Sequence, residues 1–284
     1  MAADQTTNRH HETTFSTSDN LKLYQQWWEP EKPLKAMVAI VHGLHEHSGR
    51  YAHVADHLTG AGYGVRTFDL RGHGKSEGIR GYTPSFDHFL DDLDIFMAQV
   101  RDWQPGKPLF LLGHSMGGLV VASYVVHRKP DLTGVLLSGA ALRVSDDFSP
   151  FLIRISSLIS KLFPKLSTIK LDSSFVSSDP DVVKRYQTDP LNYNGGTIAR
   201  TGAEIISATR RLEPLMASFA LPVLIMHGTY DRLTDPQGSV NFHNAAASED
   251  KTLKLYNGFY HEIMNEPEQM TVFNDITAWL DQRV

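Results

Sequence analysis

Gly113-His114-Ser115-Met116-Gly117 sets a serine two residues from a glycine on either side, after the apolar run Leu109-Phe110-Leu111-Leu112 and before Gly118-Leu119-Val120-Val121-Ala122. A strand, a tight turn and a helix in that order lift the serine Oγ clear of the sheet as a nucleophile elbow. The glycines let the backbone turn sharply and leave room for the helix to pack on the strand. The competing reading is a structural turn, but the apolar lead-in and helical exit are the context the chemistry requires. A serine hydroxyl is a poor nucleophile until a base takes its proton, so acyl transfer here needs a histidine and an orienting carboxylate from elsewhere in the chain.

On a sheet of this kind the partners follow in the order Ser, Asp or Glu, His, which discards most of the 14 histidines. The strand-like run Leu221-Pro222-Val223-Leu224-Ile225-Met226-His227-Gly228 leads straight into Thr229-Tyr230-Asp231-Arg232, placing Asp231 at a strand's carboxyl end. Asp235 competes, but it precedes Pro236 and a helical stretch through Ala247, the position of an N-cap with proline at N1. Downstream, His243 lies inside that predicted helix, whereas His261 follows the strand Thr252–Tyr256 and the breaker Asn257-Gly258. His261 is therefore the loop histidine that can serve as base.

The tetrahedral intermediate also needs hydrogen-bond donors. One is the Met116 amide at the start of the elbow helix. The second is the Leu44 amide, in the loop that follows the buried strand Ala36–Val41. His42, His45 and His47 with Glu46 offer a metal reading, but their spacing lacks His-Glu-x-x-His and the chain has no cysteine, so neither metal nor organic cofactor is expected.

Taken together, His42-Gly43, Glu46-His47-Ser48-Gly49-Arg50-Tyr51, Asp69-Leu70-Arg71-Gly72-His73-Gly74, Gly113–Gly118 and Asp231-Arg232-Leu233 resemble the monoacylglycerol lipases of the α/β-hydrolase superfamily. The likeness runs from about Leu21 to the C-terminus and includes Tyr186-Gln187-Thr188-Asp189-Pro190-Leu191. It implies the same triad, Ser115, Asp231 and His261, and the same oxyanion amides, Leu44 and Met116. It further implies that Glu46, Arg50 and Tyr186 stand near the glycerol end of the substrate. Two positions depart from the family pattern. Met264 stands where a family histidine follows the catalytic one, and Thr234 where a cysteine often follows the triad aspartate.

With 284 residues, 41% hydrophobic and 21% charged, the chain has the composition of a globular protein able to bury a large core. A net charge of −5 offers no basic field for nucleic acid. The polar stretch Met1–Asn20 has no apolar leader, and no run reaches the roughly 20 residues of a membrane span, which predicts a cytoplasmic protein.

Short β-rich runs alternating with helical patterns predict a mostly parallel sheet flanked by helices, with an N-terminal hairpin in front, and the resemblance implies that this sheet is the α/β-hydrolase fold. The alternation breaks after Ala140, so the core is expected over 1–140 and 218–284, with a cap inserted over 141–217. Phe151, Leu152, Ile155, Leu158, Ile159, Leu162 and Phe163 fall at helical spacing within it. Such a stripe is either core or, over a lipid-ester site, an apolar roof that meets a membrane surface transiently. Arg210 and Arg211 read as a solvated face, and Trp27 and Trp28 as core and strand-edge packing. The leading function is a serine esterase cleaving monoacylglycerol to fatty acid and glycerol. A lysophospholipase or broad carboxylesterase with the same triad is the alternative, and a noncatalytic binding protein of the same fold is the reading from a different class.

Overall fold

The computed structural model describes residues 9–144 and 158–284. Eight strands are present among the described residues: β1 (His10–Ser16), β2 (Lys22–Trp28), β3 (Ala36–Val41), β4 (Tyr63–Phe68), β5 (Leu109–His114), β6 (Gly134–Ser138), β7 (Val223–Gly228) and β8 (Lys251–Tyr256). They form one sheet in the order β1-β2-β4-β3-β5-β6-β7-β8. Five of the seven pairings are parallel, and the antiparallel pairs β1–β2 and β2–β4 are made by the N-terminal hairpin. The flanking helices are α1 (Ala52–Gly60), α2 (Asp87–Trp103), α3 (Met116–Arg128), α4 (Pro180–Thr188), α5 (Ala199–Leu212), α6 (Pro236–Ala245) and α7 (Gln269–Asp281).

A parallel sheet covered on both faces buries every strand residue, so its central strands read as unbroken apolar runs. The period-2 geometry then divides each run between two cores. In β3, Met37, Ala39 and Val41 face a core with Leu93 and Phe96 of α2 and Leu119 and Val120 of α3. Ala36, Val38 and Ile40 face the other, with Val54 and Leu58 of α1 and Ile276 and Leu280 of α7. Each fully buried Leu or Phe of β5 contributes about 1.5–3 kcal/mol by leaving water.

Register brings the strand ends level. Val41 pairs with Gly113, His114 with Ser138 and Ser138 with Met226. The loops after β3, β5, β6 and β7 therefore open on one edge, where open α/β sheets hold their ligands.

Between β6 and β7 the described residues include helical positions 158–162, α4 and α5. Phe151, Leu152 and Ile155 of the apolar stripe lie outside the described residues. Of the rest, Leu158, Leu162 and Phe163 are 57%, 64% and 62% exposed, while Ser160 is buried. Ile159 is half-buried against the cavity and Lys161 is exposed, so this turn carries apolar side chains outward as well as inward. Arg210 and Arg211 are exposed, as expected of a solvated face.

Candidate active site

Ser115 sits between β5 and α3 with φ +56° and ψ −121°. The sharp turn thus falls on the serine itself and not on its glycines. Those answer a different demand, because a Cβ on Gly113 would lie 2.5 Å from Gly117 O, and one on Gly117 would lie 2.3 Å from Val41 O. A left-handed backbone at a non-glycine residue carries about 1–3 kcal/mol of strain and persists only where surroundings hold it. Here the Ser115 N–H donates to Ser138 O at 2.9 Å, and the Ser115 carbonyl accepts from Gly118, Leu119 and Ala141 amides.

His261 lies in the loop after β8, tied to the β6–β7 insertion by its own N–H to Phe175 O (3.4 Å) and by Glu262 N–H to Val176 O (2.7 Å). Its Nδ1 is 2.7 Å from Asp231 Oδ2. Asp231 Oδ1 accepts the amides of Leu233 (2.8 Å) and Thr234 (2.9 Å), which fixes the carboxylate plane. Burial acts to raise the Asp231 pKa, but the facing His261 and His227 outweigh it and hold the group well below the usual carboxylate range. Burial likewise acts to depress His261, and the Asp231 carboxylate reverses this, leaving the imidazole more basic than normal. Such a pair gives a base that is strong yet correctly oriented. Neighbouring His114, its ring 4.8 Å from that of His261, is pushed down to about 4, first by burial and then by the like charge of His261.

Asp235 caps α6, accepting Gln237 N–H at 2.9 Å with Pro236 at N1, and pairs with Arg143. His243 lies on α6, within 3.4 Å of Asn244 Oδ1. Neither lines the cavity beside Ser115.

Met116 opens α3, so its N–H has no acceptor one turn back in the helix. Leu44 lies on the loop facing it, and both line the cavity with Ser115. Glu46 braces that loop, its Oε1 accepting Gly43 N–H at 2.6 Å and Tyr51 O–H at 2.8 Å.

The cavity encloses about 490 Å³, within the range for small-molecule sites. Its body is apolar, with Ile159, Ile169, Leu171, Val176, Ile205 and Ile206 from the β6–β7 insertion. One end is polar, with Glu46, Tyr186 and Glu262. Arg50 stands behind that end and does not line the cavity. It is bidentate to Glu262 (2.6 and 2.7 Å), bonds Glu46 at 2.8 Å, and lies 4.7 Å from the Tyr186 ring centre. Burial would raise the Glu46 pKa, yet Arg50, His114 and His42 bring it down to about 2. Met264 is buried outside the cavity, its carbonyl bonded to His53. The other loop histidines have separate partners, His42 with Gly43 O and Leu70 N–H, and His47 with Asp189.

Chain order does not point to two residues of this site. His227 precedes Asp231 in the chain, and its signal in the sequence is its place near a strand's carboxyl end. Glu262 had only its adjacency to His261.

A family described as serine aminopeptidase, S33, matches residues 32–268. The monoacylglycerol lipase of Mycolicibacterium smegmatis is 35% identical over 269 residues, covering 95% of this chain and 96% of that protein. The crystal structure of Paleococcus ferrophilus monoacylglycerol lipase aligns with a TM-score of 0.83 at 35% identity, covering 92% of this chain and 99% of the other. A soluble variant of monoglyceride lipase from Saccharomyces cerevisiae, in complex with a substrate analog, aligns at 0.86 with 28% identity, covering 96% and 95%.

Proposed function

This chain belongs to the monoacylglycerol lipases of the S33 serine aminopeptidase family, on the α/β-hydrolase fold, and from that premise we propose that it hydrolyses monoacylglycerol to fatty acid and glycerol. His261 takes the Ser115 proton as Oγ attacks the ester carbonyl, and Asp231 holds the resulting imidazolium. The amides of Leu44 and Met116 receive the oxyanion. Collapse breaks the bond to the glycerol oxygen, which leaves with the proton from His261. Water, deprotonated by His261, then attacks the acyl-Ser115 ester and frees the fatty acid and the serine. Segment 141–217 acts as the cap over this chemistry.

The observation that carries the proposal is a cavity beside the elbow whose lining is mostly apolar, with Glu46, Tyr186 and Glu262 grouped among the polar side chains that face it. The polar end also speaks against a lysophospholipase. Its carboxylates, Glu46 and Glu262, share the guanidinium of Arg50, so that end presents two carboxylates to an incoming phosphate. Glu46, Tyr186 and Glu262 suit neutral hydroxyls instead. Purified protein should therefore turn over monoacylglycerol at least about tenfold faster than a lysophospholipid of the same acyl chain, and should leave amino-acid naphthylamides uncut. Equal or faster turnover of the lysophospholipid would hand the assignment to the alternative.

Substrate delivery follows from the outward apolar side chains. Leu162, Phe163 and Ile169 are 64%, 62% and 68% exposed, Lys161, Lys165 and Lys170 are interleaved, and Ile169 and Lys170 also line the cavity. No acidic residue occurs over 158–171. This surface would meet a lipid interface transiently, with the mouth of the site at the contact. Replacing Leu162 and Phe163 together with serine should lower turnover of vesicle-borne monoacylglycerol by about tenfold and leave a soluble short-chain ester within about twofold, since exposed residues add little to stability. Parallel losses on both substrates, with a lower melting temperature, would instead make these residues part of the core.

A further inference from the structure

Asp231 is shared by two imidazoles. Its Oδ2 lies 2.7 Å from His261 Nδ1 and 3.0 Å from His227 Nε2, and His227 Nδ1 lies 2.7 Å from Ser239 Oγ. An ionised carboxylate only accepts, so His227 donates its Nε2–H to Asp231 and accepts a hydrogen bond from the Ser239 hydroxyl at Nδ1. Ser239, on α6, and His227, closing β7, are both fully buried, and His227 does not line the cavity. No step of the reaction uses it.

We infer that His227 is a positioning residue which divides the Asp231 carboxylate between itself and His261, and so limits how tightly His261 holds a proton. The physical basis is competition for one oxygen. Oδ1 is occupied by two amides, so the imidazoles meet on Oδ2 with the Thr234 hydroxyl at 2.7 Å, whose single proton can go there or to Gly139 O at 2.9 Å. Each donor to Oδ2 spreads charge that would otherwise stabilise the His261 imidazolium, and in a buried site that charge is poorly screened. The other groups facing His261 are Glu262 and Glu46, which also favour its protonation, and His114, which stays neutral near pH 7. Removing the His227 donor concentrates charge on Oδ2 and makes His261 more basic. A larger fraction is then protonated at a given pH and cannot act as base.

The role rests on the proposed triad but not on the lipid substrate, because it can be read with a soluble short-chain ester. Loss of ester turnover in Ser115→Ala and in Asp231→Asn tests the triad separately. For the wild type, kcat/KM should fall on the acid side with a midpoint above 6.5, the ordinary histidine value. In His227→Leu the midpoint should rise by about half a pH unit, a roughly threefold loss on the acid side, with KM within about twofold. His227→Gln keeps an N–H within reach of Oδ2 and should restore most of the shift. Ser239→Ala leaves the ring but frees its far side, giving a smaller shift in the same direction. The low-field imidazole N–H proton resonance of His261 should move in the same variants. An unmoved acid limb in both His227→Leu and Ser239→Ala, or a Gln variant indistinguishable from Leu, would overturn the inference. If His227→Leu does not fold, the Ser239→Ala limb decides alone.

Discussion

Replacing Ser115 with alanine is expected to lower ester turnover by at least about 10⁴-fold while leaving the melting temperature unchanged. Alanine keeps the Cβ, so the strained φ of +56° and the hydrogen bonds to Ser138, Gly118, Leu119 and Ala141 are all retained. Only the Oγ is lost. The variant should also resist labelling by a fluorophosphonate that modifies the wild type. Turnover within tenfold of wild type would remove Ser115 as nucleophile, and a large drop in melting temperature would mean that the hydroxyl is structural.

The two neighbouring aspartates are expected to separate sharply. In Asp231→Asn, Oδ1 can still accept the Leu233 and Thr234 amides, but an NH₂ then confronts the N–H groups of both His261 and His227. His261 must turn its tautomer or its ring, and the imidazolium loses its counter-charge, a loss on the order of 10⁴ in kcat. Asp235→Asn should stay within about threefold, because asparagine caps a helix nearly as well and the partly exposed pair with Arg143 contributes little. The comparison is made with kcat on one soluble ester and a thermal melt for each variant. A severe Asp235 effect beside a mild Asp231 effect would reverse the assignment of the acid.

The contrast between Asp231 and Asp235 also marks how far local pattern reaches. Proline after Asp235 and the helical run beyond it mark a cap in the sequence, and the structure has that cap at Gln237 N–H. The elbow is legible for the same reason, since a strand, a turn and a helix are local elements. Even there the detail differs, because whether a glycine serves a positive φ or a close approach depends on what lies against it. Gly117 is hemmed in by the end of β3, some 75 residues away in the chain.

The sequence alone marked the central strands, the elbow, the candidates Ser115, Asp231 and His261 in that order, and the break in alternation after β6. Hydrophobic period and turn chemistry are properties of short stretches, and they survive without knowledge of neighbours. Tertiary structure decided the second histidine on Asp231, the withdrawal of Arg50 behind Glu46 and Glu262, and the outward turn of Leu158, Leu162 and Phe163. Each depends on which distant elements meet. Arg50 and Glu262 are 212 residues apart, and only the register of a sheet whose strand ends open on one edge brings their charges into a shared hydrogen-bond network. A helical stripe likewise has the same period whether it faces a core or solvent, so its direction is set by the packing around it and not by its own residues.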